Sequence, residues 1–128
     1  MIDFTDHSVP YLTGYGFGLR CGRYFAPEMG LGRNPNRKND TIYVKTDHIR
    51  DFFRAHRDPE PFVLLTHNSD IAINETYRHF LDDGRVRLWL AQNPAIVHPK
   101  LRAIPIGLAN HVWPHGDVDA ISRVRAEP

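Results

Sequence analysis

Residues 62–65, Phe-Val-Leu-Leu, form an unbroken apolar run between two segments of helical periodicity. Such a run is expected of a strand buried on both faces, the environment of a parallel sheet covered by other elements. Parallel neighbours cannot be joined by a tight turn and need a crossover, usually a helix. The flanking sequence has that alternation. TIYVK (41–45) is rich in β-branched and aromatic residues and predicts a strand. Thr46 or Asp47 then offers a helix N-cap. Ile49, Phe52, Phe53 and His56 recur at helical spacing, so DHIRDFFRAH (47–56) predicts an amphipathic helix closed by Pro59 and Pro61.

The strand PFVLLTH (61–67) follows. A second helix is expected to start at Ser69 or Asp70, bury Ile73, Tyr77, Phe80 and Leu81, and end at Asp83-Gly84. RVRLWLAQN (85–93) predicts a third strand, stopped by Pro94. LRAIPIGL (101–108) predicts a fourth, which Pro105 restricts to an edge or bulged position because proline cannot donate to a ladder. The expected fold class is therefore α/β: a Rossmann-like, open, mainly parallel sheet flanked by helices.

Three zones are expected within one domain spanning 1–128. Residues 1–40 are an opening segment in which six of the nine glycines lie between Gly14 and Gly32, interleaved with Tyr11, Tyr15, Phe17, Tyr24 and Phe25. They read as turns and short extended pieces. Residues 41–117 hold the βαβ core. Residues 118–128 are a tail, with a weak helical pattern in DVDAISRVRAE.

The charge balance narrows the function. The net charge is +1, whereas a dedicated nucleic-acid binder is usually far more basic and clusters that charge. The local excess Arg33, Arg37 and Lys38 reads as a solvated loop. The single cysteine, Cys21, allows no disulfide within the chain and reads as a small buried apolar residue. No apolar run approaches the ~20 residues that span a bilayer. MIDFTDHSVP lacks the basic start of a secretory signal. A soluble, cytoplasmic protein is expected.

In open parallel sheets, ligands bind beyond the carboxyl ends of the strands. After FVLL come Thr66, His67, Asn68, Ser69 and Asp70. After LWLA come Gln92 and Asn93. After IPIG come Asn110, His111, Trp113 and His115. Amides, hydroxyls and imidazoles there can hydrogen-bond a hydroxyl-rich or nucleotide ligand without adding net charge. Asn68, Ser69, Gln92, Asn93, Asn110 and His115 are thus candidate ligand-binding residues. Each also has a plainer role open to it: Ser69 and Asp70 as caps, His67 as a satisfied core residue, Asn93 as the turn before Pro94, and Asn110 as a loop former.

A metal is not expected. His111 and His115 flank Pro114, and no HExxH or paired Cys occurs. No GxSxG elbow occurs. GYGFG (14–18) lacks the Lys-Ser/Thr that would complete a phosphate loop.

VKTDHIRDFF (44–53) with FVLLTHNSD (62–70), and WLAQN (89–93) with HPKLRAIPIGLANHVWPHGD (98–117), together resemble the N-terminal half of exostosin-like, GT-B-type glycosyltransferases. The resemblance covers about residues 40–117. It implies one Rossmann-like domain of a two-domain enzyme. The acceptor would approach this half, and a sugar nucleotide would bind mainly in the other as substrate, with no cofactor. That second half carries a basic, Arg-containing donor segment, which the sequence ending at Pro128 lacks; a fragment or a short form is expected. GT-B transfer proceeds without a bound metal, by a general base and by basic or helix-dipole groups facing the leaving phosphate. In this half the candidate catalytic residues are His67 and Asp70, His being poised near neutral pH.

Two other readings stand beside this one. A non-catalytic interaction or ligand-binding module would pair an exposed sheet edge or apolar face with a second domain or a second copy of the chain. A small hydrolase or nucleotide-processing enzyme would use His67 and Asp70 directly.

Overall fold

A computed structural model of the chain describes residues 20–26, 30–33, 40–67 and 69–105. Among these residues six strands make one sheet: β1 (Arg23–Ala26), β2 (Gly30–Arg33), β3 (Thr41–Lys45), β4 (Phe62–His67), β5 (Val86–Ala91) and β6 (Leu101–Ala103). Their spatial order is β2-β1-β3-β4-β5-β6. β1 and β2 pair antiparallel, and every other pair is parallel. The chain is therefore an α/β protein with a mainly parallel sheet.

The Rossmann-like description fits loosely. From β1 to β6 the parallel strands follow one another in chain order, with no reversal of direction across the sheet. Crossovers of one hand that always step the same way place their helices on one face. Both helices do share one core with one face of the sheet. α1 (Ile49–Ala55), entered through the 3₁₀ turn Thr46–His48, contributes Ile49 and Phe52. The 3₁₀ turn Glu75–Tyr77 and α2 (Arg78–Leu81) contribute Tyr77 and Leu81. They pack on Ile42, Val44, Phe62, Leu64, Val86, Trp89 and Ala91, all buried.

Strand side chains alternate in direction. The intervening residues Tyr43 and Leu65 cluster with Cys21 and Tyr24 on the opposite face, against Leu90 and Ile104. Both faces of β4 are thus apolar, which is why its sequence does not alternate. Cys21 is buried, as its type suggested.

The expected strands at 41–45, 61–67 and 85–93 match β3, β4 and β5 to within two residues. Of the strand expected at 101–108, β6 covers Leu101–Ala103 at the edge of the described sheet and stops before Pro105, and residues 106–108 lie outside the described residues. The second helix needs correction. Residues 69–73 do not begin it; Ile73 forms a parallel bridge to Pro94. The cap is Asn74, whose side chain accepts from the Thr76 amide at 3.0 Å. Between β4 and β5 the register shifts by one residue, since Val86 faces Phe62 and Leu88 faces Val63. Arg87 is the extra residue; it is exposed and pairs with Asp40 at 3.3 Å. The tail helix and the GYGFG segment lie outside the described residues.

Candidate functional site

Parallel pairing brings the carboxyl ends of β3, β4 and β5 to one edge. Beyond β3 the chain turns into the 3₁₀ segment that carries Asp47, which is exposed. Beyond β4 comes Ser69, and beyond β5 comes Gln92, both half-buried. These three residues meet. The Ser69 hydroxyl donates to the Asp47 carboxylate. The same hydroxyl oxygen accepts from the Ile71 amide at 3.1 Å. The Ser69 amide donates to Gln92 Oε1 at 3.4 Å. The Gln92 amide in turn donates to the Thr66 carbonyl at 3.3 Å, continuing the ladder past the end of β5. A carboxylate, a hydroxyl and a side-chain amide therefore line one rim, each held by its own strand.

His67 sits next to this rim but serves the packed structure. Its residue is 3% exposed. Its Nε2 lies 3.0 Å from the Pro105 carbonyl, which can only accept, so Nε2 carries the proton and donates. The bond ties the end of β4 to the segment after β6, two strands away. The His67 carbonyl accepts from Thr46 Oγ1 at 3.5 Å, fixing the start of the β3 turn.

Asp70 is exposed beside Ser69. Asn93 is exposed, and the bond that holds it is a backbone one: its carbonyl accepts from the Ile73 amide at 2.8 Å. Of the residues expected to bind ligand, the structure brings together Ser69 and Gln92. Asn68, Asn110 and His115 lie outside the described residues. Asp47 belongs to the rim, and neither it nor Thr46 caps the helix after β3 as their residue types suggest, since no side chain caps that helix or the 3₁₀ turn before it. The rule that selects residues beyond strand ends applies equally to the strand at 41–45 and would have placed Asp47 in the set.

A second charged cluster lies at the opposite edge. Arg85 holds Asp83 at 2.9 Å and donates to the carbonyls of His56 and Asp58 at 2.8 and 3.2 Å. This hydrogen bonding lowers the Asp83 carboxyl below its ordinary range. His56 is lowered as well, first by burial and then by the charges of Arg23 and Arg85.

Among the described residues, no three His, Cys, Asp or Glu side chains gather as a metal site, and no helix is long and apolar enough to cross a membrane. No family model matches the chain, and no curated protein matches it.

Proposed function

We propose that the chain is the acceptor-side half of an exostosin-like, metal-independent glycosyltransferase, and that the rim of Asp47, Ser69 and Gln92 binds a sugar acceptor. The observation that carries this reading is the meeting of those three side chains at the carboxyl edge. A sugar presents hydroxyls that both donate and accept. A carboxylate accepts, an amide does both, and a hydroxyl does both, so the trio can satisfy adjacent sugar hydroxyls without a metal. The Ser69 hydroxyl already occupies the arrangement a ligand hydroxyl would take, donating to a carboxylate while accepting from an amide.

In this reading a carboxylate of the rim, Asp47 or the neighbouring Asp70, takes the proton of the attacking hydroxyl. His67 is a positioning residue that holds the end of β4, because its Nε2 is already donating to Pro105. The sugar nucleotide is substrate and is bound mainly by a second half, which supplies the basic groups facing the leaving phosphate.

The same engagement of His67 also favours a second reading, a sugar-binding module without turnover. Calorimetric titration with a panel of sugars and sugar nucleotides tests the shared claim, and a glycosyl-transfer assay separates the two. Binding of a sugar that Ser69→Ala and Gln92→Ala weaken is expected. Absence of binding by every member of the panel overturns both readings.

A further inference from the structure

Among the described residues the sheet is wider than its helical layer. α1 packs against β3, and β1 and β2 continue the sheet beyond it. On the helix side this leaves a hollow of about 440 Å³, floored by Phe25 and Ile42 and walled by Phe52, Ala55 and His56. Pockets of this size hold small molecules. The hollow lies near the start of β3 and the end of α1, at the amino edge, opposite the rim of Asp47, Ser69 and Gln92. It is therefore independent of the acceptor reading.

Its charge is unusual for an apolar hollow. Arg23 and Arg33 are register partners on the antiparallel strands β1 and β2, and both line it. Directly opposed like charges destabilise a strand pair, since their Cβ atoms stand only ~5 Å apart. Asp58 lies 3.5 Å from Arg23, while Arg33 is exposed at the end of β2. An anion between the two guanidinium groups can be held by paired N–H donors. Below it, Phe25 and Phe52 meet edge to face at 5.6 Å and offer an apolar bed.

We propose that this hollow is a second binding site, for a small amphiphilic carboxylate: one anionic head between Arg23 and Arg33, and one apolar ring or short chain on Phe25, Ile42 and Phe52. The test is titration of the whole chain with hydrocinnamate and, separately, with its neutral amide, followed by backbone amide shifts. Hydrocinnamate is expected to give saturable shifts at residues 23–25, 32–33 and 52–56. The neutral amide is expected to bind about tenfold more weakly or worse, the loss of a charge-assisted pair. Arg33→Gln, at an exposed position, is expected to weaken hydrocinnamate by a similar factor. Ala55→Trp, which fills the mouth, is expected to abolish the shifts while thermal melting stays unchanged. Equal binding of acid and amide, indifference to both substitutions, or no saturable shift at these residues would overturn the proposal.

Discussion

The indole Nε1–H of Trp89 donates to the hydroxyl of Thr66 at 2.9 Å, with both residues fully buried between the sheet and its helices. The pair bridges adjacent parallel strands, since Trp89 faces Leu64 and Thr66 faces Ala91 in the β4–β5 register. It stands directly beneath the carboxyl edge that carries Ser69 and Gln92. Thr66→Val keeps the shape and leaves the indole N–H without its acceptor in a dry core. A loss of about 1–3 kcal/mol of unfolding free energy is expected. Denaturant unfolding measures it, with Thr66→Ser as the variant that keeps the acceptor. A loss confined to the serine variant would contradict this bond's role.

Asn74 rather than Ser69 or Asp70 caps the second helical segment, and Asn74 and Asp70 can be told apart by stability. Asn74→Ala removes the acceptor for the Thr76 amide and is expected to cost about 0.5–2 kcal/mol. Asp70→Ala, at an exposed residue outside any helix, is expected to fall within about 0.5 kcal/mol of wild type. Equal losses at the two positions would place the cap wrongly.

His67 is assigned to holding the fold. His67→Ala removes a buried ring and orphans the Pro105 carbonyl, so a destabilisation of roughly 1–3 kcal/mol is expected by urea unfolding. A variant as stable as wild type, yet unable to transfer sugar in an otherwise active enzyme, would return His67 to the chemistry.

Stability is expected to fall toward acid in two steps. His56 has a folded-state pKa below its ordinary value of 6.5, so the unfolded chain binds the proton more readily. Its contribution is complete above pH 6.5 and is lost as pH falls below that value. Asp83, lowered from 3.8 by its hydrogen bonds from Arg85, contributes fully above 3.8 and is lost as pH falls through its folded value. Melting temperature followed from pH 7 to pH 2 should show Asp83→Asn declining less steeply than wild type below pH 4. Parallel declines would remove Asp83 from the acid transition.

Much of the fold could be read from local pattern because the two faces of the central strands are both buried. FVLL and TIYVK have nowhere to go except the middle of a sheet, and Ile49 and Phe52 mark the buried stripe of α1. The β1–β2 pairing, the long-range contacts of Ser69 and the cap at Asn74 do not show in local pattern. The β1–β2 hairpin is glycine-rich, and its identity as sheet comes from the parallel pairing of Arg23–Phe25 with Ile42–Val44, a contact across the sequence. Ser69 looks like a cap, yet its hydroxyl is drawn to Asp47 and its amide to Gln92, each more than twenty residues away. Asn74 ranks with Ser69 and Asp70 as a cap by residue type, so type alone does not choose among them; Ile73 before it is taken by the bridge to Pro94. Of the site, Ser69 and Gln92 followed from the strand-end rule, and Asp47 was hidden by its second aptitude as a cap.

The convergence at the carboxyl edge is the claim on which the sugar-acceptor reading rests. Backbone amide shifts, followed while simple hexoses and pentoses are titrated into the whole chain, test it at residue resolution. Saturable shifts centred on Asp47, Ser69, Ile71 and Gln92, lost in Ser69→Ala, are the expected result. Shifts that never reach those amides with any sugar, or that persist undiminished in Ser69→Ala, would contradict it.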